Sequence, residues 1–324
     1  NKDRPFLLYM SHFSVHDPIH GRPDLVEKYN KKLASMPSQS GPDFILEGNP
    51  DSPTFPSRAE LDELIKQPEY RDTYTSYAND LVKVKQRQDN VEFAGMVESV
   101  DQSLGTLIEK LKEHGLEDNT IVIFMSDNGG MSVMNGTPHF ETTKDKIDTR
   151  ASTSNLPLRG AKGWLYEGGI REPYMISAPG LTNRGTVCHH PVTSMDFYPT
   201  LLDLANIPLR PKQHLDGKSL VPLLRDPDSS LPRKSLHWHY PHYSNQGGFP
   251  GGAIRQGDYK LIERFEDGRV HLFNLATDLG EKEDLAERQP DKVLTMRKDL
   301  HEWYRKVDAK FLRQKPGGPR PWQP

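Results

Sequence analysis

The chain of 324 residues has a single cysteine, Cys188, so it cannot form a disulfide within itself. It has no apolar run near the roughly 20 residues that a membrane-spanning helix needs, and its hydrophobic fraction is 34%. Neither sign of charge dominates, since 42 Lys and Arg face 45 Asp and Glu. The formal net charge of −3 argues against nucleic acid as a partner. These absences exclude a disulfide scaffold and a membrane span.

The length of the chain is sufficient for one large α/β domain with a smaller appendage. Its 27 prolines and 25 glycines indicate many ordered loops, because strand-like apolar runs recur between them. The sequence texture changes near residue 228. We therefore predict a larger domain over 1–227 and a small C-terminal subdomain over 228–324.

The predicted subdomain consists of short β-like runs separated by turn residues such as Gly-Asp and Asp-Gly. A helix follows the last run. The strands are predicted over 235–240, 252–256, 259–265 and 270–274, and the helix over 291–306.

In the larger domain, apolar residues recur at helical spacing over 91–114, and Gly115 is a plausible helix stop. The β-branched run at 120–125 predicts a strand covered on both faces. Residues 19–75 are rich in Pro, Ser and charge, and predict a loop excursion with short helices. A polar, irregular loop is predicted over 131–156, and we expect it to cover the functional site. Further strands are predicted over 5–11 and 173–178, and a helix over 194–205.

Polar residues follow the strand at 120–125 as Ser-Asp-Asn-Gly-Gly. Open α/β folds place their chemistry at the carboxyl ends of such strands. Asp127 and Asn128 offer the hard oxygen ligands that Ca²⁺ or Mg²⁺ requires, and the following glycines permit a sharp turn. Taken alone, Asp-Asn-Gly after a strand is more often a plain turn.

A second segment, LRGAKGWLYEGGIREP at 158–173, places Lys162 in a Gly-rich loop. A cation there suits an anionic substrate group, although a lone lysine between glycines is usually solvated. The interpretation of Glu167, Arg171 and Glu172 in the same segment is a structural loop with charge pairs.

These two segments and PFLLYMSHFSVHDPI at 5–19 resemble the sulfatase family of the alkaline-phosphatase-like superfamily, in content, order and rough spacing. The resemblance covers nearly all of the chain. It implies an α/β fold in which helices flank an alkaline-phosphatase-like mixed sheet. The same resemblance implies a small α+β C-terminal subdomain, formed by an antiparallel sheet with a packed helix. It also implies that the first third to two fifths of a sulfatase is absent, including two tandem metal-binding aspartates and the formylglycine motif.

The resemblance assigns roles to four residues. Lys162 would contact the sulfate as a point cation, and His16 would donate a proton to the leaving oxygen, for which a pKa near neutrality is suited. Asp127 and Asn128 would bind a divalent ion, Ca²⁺ or alternatively Mg²⁺, with the two absent aspartates. Because one carboxylate and one amide are few for Ca²⁺, weak metal binding is expected from this chain alone.

The run HWHYPHYSNQGG at 237–248 alternates aromatic residues and histidines. An aromatic face with polar tips suits a sugar ring, and the resemblance places this subdomain over the active site. The candidate sugar contacts are His239, His242, Asn245 and Arg255. The alternative is a strand at a subdomain interface, with Trp238 and Tyr240 buried.

The leading hypothesis is a sulfuric ester hydrolase that acts on a sulfated carbohydrate by attack of a formylglycine outside this chain. One alternative is a phosphodiesterase or phosphonate monoester hydrolase of the same superfamily. Another is an inactive homologue that binds sulfated glycans. Family habit implies a periplasmic or secreted location, or alternatively a lysosomal one.

Overall fold

The computed structural model describes residues 4–37, 43–48, 56–68, 81–133, 151–243 and 248–324. The helices in these ranges are α1 (Pro23–Ser35), α2 (Arg58–Leu64), α3 (Val91–Glu113), α4 (Glu167–Ile170), α5 (Phe197–Leu204), α6 (Val221–Arg225) and α7 (Pro290–Lys306). The strands are β1 (Phe44–Gly48), β2 (Leu81–Lys85), β3 (Val122–Met125), β4 (Tyr174–Ser177), β5 (Leu236–Tyr240), β6 (Gly251–Gln256), β7 (Tyr259–Arg264) and β8 (Val270–Asn274).

Within the described ranges, the strands form three antiparallel sheets: β1–β2, β3–β4 and β5–β6–β7–β8. The combination of helices and sheets confirms the predicted α/β class with a small C-terminal α+β unit. Among the described residues, no helix has both the length and the apolar character that a bilayer crossing requires.

The helix at α3 confirms the prediction from apolar spacing. The Asn90 side chain accepts a hydrogen bond from the Phe93 N–H at 3.0 Å, which caps the first turn. Lys110 and Lys112 lie in the last turn, where cations favour the helix dipole. Gly115 then adopts a φ of 64° and ends the helix. From there the chain passes into β3, as an αβ unit requires.

The predicted strand over 5–11 is wrong, since this segment forms no strand. Its apolar side chains are exposed: Leu7 is 79% and Tyr9 81% accessible. The prediction for 120–125 is right about the strand and wrong about its burial, because Met125 remains 40% exposed. An apolar run favours a strand but does not supply the neighbours that cover it, and in the described part of the chain β3 pairs only with β4.

The region 19–75 contains more regular structure than predicted. Helix α1 has 13 residues and packs along α3, where the Gly21 N–H donates to Glu92 at 2.6 Å and Leu25 is buried. Strand β1 pairs with β2 over five residues. The predicted loop over 131–156 lies mostly outside the described residues, but Val133 is buried and bridges to Val84.

The C-terminal sheet confirms the predicted strands to within one residue, and α7 the predicted helix. Successive residues point to opposite faces, as the period of a strand requires. The residues that pack against α7 include Ile254, Leu261 and Leu272, and those that pack against the 161–166 loop include Ala253, Ile262 and Phe273. The cluster that contains the 161–166 loop joins residues on both sides of the predicted boundary at 228. The boundary itself stays a prediction.

Strand β5 divides its aromatic residues between the two faces. Trp238 and Tyr240 pack on the cluster that contains the 161–166 loop. His237 stacks on Trp303 of α7 with ring centroids 4.8 Å apart and planes 7° apart. Burial lowers the pKa of His237 to about 4, because the charged imidazolium loses its hydration there. This alternation supports the interface interpretation of β5.

We expect the stability of the chain to fall as the pH drops from about 6.5 towards 4. In that window the unfolded chain binds a proton on His237 that the folded chain excludes. The neutral imidazole of His237 therefore contributes fully to the stability of the fold above about pH 6.5. This contribution is lost as the pH falls from there towards the folded pKa of about 4. A His237→Phe variant, which can retain the stack on Trp303, should show a shallower decline of Tm between pH 7 and 4.5. Identical slopes in the two proteins would contradict this expectation.

Candidate active site

The base of the candidate site is the antiparallel pair β3–β4. Val122 lies opposite Ser177 and Met125 opposite Tyr174, and the Ser126 N–H still donates to the Pro173 carbonyl at 3.2 Å. Continuing this register by one residue places Asp127 opposite Glu172. The strand pair therefore brings together two carboxylates that lie 45 positions apart in the sequence.

Asp127 and Asn128 form a short turn directly after β3. One Asp127 oxygen accepts the Asn128 N–H at 2.9 Å, and the Asn128 amide Nδ2 donates to the Gly129 carbonyl at 3.1 Å. That second hydrogen bond uses the nitrogen of the Asn128 amide and not its carbonyl oxygen. Asp127 is exposed and Asn128 is partly buried.

The donor types at this turn fit a calcium or magnesium ion, because both ions bind carboxylate and amide oxygens. The donor number falls short of a complete shell, since Ca²⁺ takes about 6–8 oxygens. The described residues contain no group of three or more His, Cys, Asp or Glu that could hold a metal. Asp127 and Asn128 would therefore supply only part of the ligand shell of such an ion.

The Lys162 loop and the Asp127–Asn128 turn are hydrogen-bonded to one another. The Lys162 N–H donates to the Gly130 carbonyl at 3.2 Å, and the Gly129 N–H donates to the Gly169 carbonyl at 3.1 Å. A Cβ on Gly129 would overlap the carbonyl oxygen of Gly168, so only glycine permits this approach. The structure therefore places the predicted metal ligands and the predicted sulfate-binding lysine on adjacent loops.

Lys162 lies in a tight turn that its neighbours hold in place. Ala161 and Trp164 are buried on either side, and the Trp164 N–H donates to the Ala161 carbonyl at 2.9 Å. Gly160 and Gly163 have φ values of 81° and 86°, which side-chain-bearing residues rarely adopt. The lysine itself remains partly exposed. A fixed backbone with an accessible ammonium group suits the binding of an anion.

Asn155 connects the two loops through its side chain. Its Nδ2 donates to the Gly130 carbonyl at 2.8 Å and lies 3.2 Å from the Gly160 carbonyl. Nothing in the sequence pattern singles out this residue, because it lies in a polar stretch that resembles any surface loop. The folded chain alone places Asn155 between the Gly130 and Gly160 carbonyls.

Glu172 has a chemical character that its sequence context does not show. Burial, and then the negative charge of Asp127, raise the pKa of Glu172 to about 7. Among the described residues its Oε1 is buried without a hydrogen-bond partner. The interpretation of Glu172 as a charge-paired loop residue is not supported by any ion pair in the described chain. No sequence motif relates Glu172 to Asp127, and the register of β3 and β4 is what places the two residues opposite each other.

His16 makes local contacts in the structure. Its Nδ1 lies 3.1 Å from the Asp17 carbonyl oxygen, and its ring packs against Phe13 at 5.8 Å between centroids. Within the described ranges, no hydrogen bond or ring contact joins His16 to Lys162 or Asp127. Its catalytic role therefore stays a prediction from the sequence.

The candidate sugar contacts occupy different surroundings. His239 faces α7, where its ring lies near Phe265, and its Nε2 is 2.7 Å from the Lys310 carbonyl. Arg255 faces the other side of the sheet, with an amino group 4.0 Å from Glu167. His242 is exposed beside the Tyr240 ring. Asn245 lies outside the described residues, so the structure does not bring the four together, and their role in sugar binding stays a prediction.

Comparisons with known proteins identify the family. A family model described as Sulfatase matches residues 1–207, and one described as N-sulphoglucosamine sulphohydrolase, C-terminal, matches residues 161–310. A sulfatase of Formosa agariphila is 35% identical over 245 residues, which are 69% of this chain and 41% of that protein. Human arylsulfatase A is 35% identical over 222 residues, 68% of this chain and 39% of that enzyme.

A solved structure agrees with these matches. The complex of Ps i-CgsB with k-i-k-neocarrahexaose superimposes with a TM-score of 0.55 and 28% identity, covering 71% of this chain and 46% of that one. The chain thus spans about two fifths of the length of the two curated relatives and under half of this structure.

We expect Gly129→Ala to lower the free energy of unfolding by about 1–3 kcal/mol, because the added methyl group meets the backbone of Gly168. Chemical denaturation followed by circular dichroism measures the change. Gly105→Ala is the matched control, since it lies within α3 with nothing near the added Cβ. That variant should be more stable by about 1 kcal/mol. A neutral Gly129→Ala would disprove the close approach of the two loops.

Proposed function

Because this chain belongs to the sulfatase family, we propose that it forms the C-terminal part of a sulfuric ester hydrolase that removes sulfate from a sulfated carbohydrate. The observation that carries the proposal is the direct hydrogen bonding between the Lys162 loop and the turn that bears Asp127 and Asn128. A sulfate ester needs positive charge on its oxygens while the bond to the leaving oxygen breaks. The two loops supply a cation and metal ligands next to each other.

Lys162 is proposed to bind the sulfate oxygens. Its ammonium group is a compact point charge with three donors, and the buried residues Ala161 and Trp164 hold its backbone. Because the surrounding turn is already formed, little reorganisation is needed when negative charge develops on the substrate.

Asp127 and Asn128 are proposed to hold Ca²⁺, or alternatively Mg²⁺, together with aspartates outside these 324 residues. When bound, such an ion polarises the sulfate group as a Lewis acid. The chain's own contribution is to aim two oxygen donors from the end of β3 and to place Glu172 nearby. Opposed carboxylates repel each other, so the pair Asp127–Glu172 favours binding of a cation.

The proton and the nucleophile complete the proposed reaction. His16 is proposed to protonate the departing sugar hydroxyl, since an imidazole can exchange a proton near neutral pH. The nucleophile is proposed to be a formylglycine in a part of the protein outside this chain. The complex of Ps i-CgsB with k-i-k-neocarrahexaose supports a saccharide as the substrate. Among the proposed sugar contacts in the described ranges, His242 is exposed. A periplasmic or secreted location is part of the same proposal.

Replacing Lys162 by Ala in the native protein that contains this chain should lower kcat/KM for a sulfate ester by about 10²–10³-fold, because one preorganised charge is lost. The assay follows sulfate release from a sulfated oligosaccharide and from an aryl sulfate. Lys110→Ala, an exposed lysine at the end of α3, is the matched control and should retain the wild-type rate.

A near-normal rate in Lys162→Ala would refute the role of this lysine. Hydrolysis of a phosphodiester with none of a sulfate ester would favour the phosphodiesterase alternative. Binding of a sulfated glycan without turnover of either ester would favour an inactive binding homologue.

Replacing Asp127 by Asn should weaken Ca²⁺ binding by the native protein at least about 10-fold, because the site loses one of its negative charges. Isothermal titration calorimetry with CaCl₂ measures the affinity without any assay of activity. Asp101→Asn, an exposed carboxylate on α3, is the control and should bind as tightly as the wild type. Unchanged affinity in Asp127→Asn would remove this residue from the metal site.

A further inference from the structure

A lysine in the middle of the C-terminal sheet is completely buried. Lys260 of β7 has no accessible side-chain surface, and its Nζ lies 3.0 Å from Glu167 Oε1 and 2.9 Å from Glu281 Oε1. Removing an ammonium group from water is costly unless it is paired. The next two positions of the strand are filled by the buried apolar residues Leu261 and Ile262. A lysine beside them indicates a specific role for its contacts with Glu167 and Glu281.

We propose that Lys260 is a positioning residue that holds the Lys162 loop against the Asp127–Asn128 turn. This inference rests on the proposed function of that loop and adds a residue from the C-terminal subdomain to it. The partners of Lys260 belong to two different segments, α4 and the turn at Glu281. Lys260 thus joins the sheet to the loop at a point remote from the reacting group.

Glu281 contributes a second contact to the same point. Its Oε2 accepts the backbone N–H of Glu167 at 2.6 Å, while its Oε1 faces Lys260. The backbone carbonyl of Glu281 accepts a hydrogen bond from Arg159 at 3.1 Å. Glu281 also has a φ of 50°, an uncommon conformation for a residue with a side chain. The first residue of α4 is therefore held through both its side chain and its main chain.

The contact is transmitted to the candidate site through α4. The Arg171 N–H donates to the Glu167 carbonyl at 2.8 Å, which closes the single turn of this helix. Gly169, inside the turn, accepts the Gly129 N–H, and the Gly168 N–H donates to the Arg159 carbonyl at 2.6 Å. Gly129 directly follows Asn128 in the chain. A shift of Glu167 would accordingly move the residues that hold the Asp127–Asn128 turn.

The same strand provides a matched control on its other face. Glu263 is also fully buried, but its carboxylate faces α7, where Arg297 donates to it at 2.6 Å and His301 lies at 2.9 Å. Loss of either charge leaves buried partners unpaired and destabilises the fold. Of these two charged residues, Lys260 contacts the segment that carries Lys162, and Glu263 contacts α7.

The experiment compares Lys260→Met and Glu263→Gln in the native protein, at a temperature below the Tm of both. We expect Lys260→Met to lower kcat/KM for a sulfate ester on the order of 10²-fold, because small displacements of a charge-binding group are costly. The loss should fall mainly on kcat. Amide hydrogen exchange should accelerate in peptides over 126–131 and 159–171. Glu263→Gln should lower the Tm yet retain the wild-type kcat/KM and the wild-type exchange in those peptides.

A second variant covers the case in which Lys260→Met does not fold. Glu167→Gln keeps the side-chain size and leaves the Lys260–Glu281 pair in place, and it should show the same changes to a smaller extent. Lys260→Arg should restore part of the rate, since it keeps the charge.

The outcomes separate this inference from the proposed function. Wild-type exchange and wild-type kcat/KM in Lys260→Met would overturn the inference, and so would an equal loss of kcat/KM in Glu263→Gln. If the wild type hydrolyses no sulfate ester, the proposed function fails. Exchange that accelerates over 126–131 in Lys260→Met alone would still establish the positioning contact in that case.

Discussion

The close approach of two glycine-containing loops is the constraint on which the candidate site depends. Gly129 lies against Gly168 with no room for a side chain, and hydrogen bonds from Gly129 to Gly169 and from Lys162 to Gly130 join the loops. Backbone groups that are buried must be paired, and here each loop satisfies the other. Main-chain geometry therefore sets the separation of the two backbone segments that carry Lys162 and the Asp127–Asn128 turn.

The C-terminal sheet is the support against which the Lys162 loop packs. Tyr166 lies between Phe249 and Phe273 with edge contacts at about 6 Å, and Arg159 stacks over the Tyr166 ring at 4.3 Å. This apolar layer excludes water from the Lys260–Glu167–Glu281 contacts and so strengthens them. The opposite face of the sheet uses the same arrangement with Glu263 and α7. Period-two alternation thus places the buried charges of Lys260 and Glu263 on opposite faces of one strand.

Several elements of the fold were predictable because their signals are local. The C-terminal strands are short β-like runs with turn residues between them, and α3 has an apolar stripe, a cap and a terminal glycine. Helix α1, with 13 residues, belongs to a region where only short helices were expected, because its packing along α3 is a tertiary contact. The strand expected over 5–11 failed for a different reason: burial and pairing depend on neighbours, and an apolar run does not report whether they are present.

Residue identity and spacing were enough to predict the family, the type of each candidate ligand and the cation in a Gly-rich loop. Which of these groups meet depends on the folded chain. Antiparallel register placed Glu172 opposite Asp127, and burial, with the charge of Asp127 second, raised the pKa of Glu172. Folding placed Asn155 between two carbonyls. It also turned His239 towards α7 and Lys260 towards Glu167. Hydrogen bonding, burial and charge pairing depend on distances in space, and the separation of two residues along the sequence does not specify those distances.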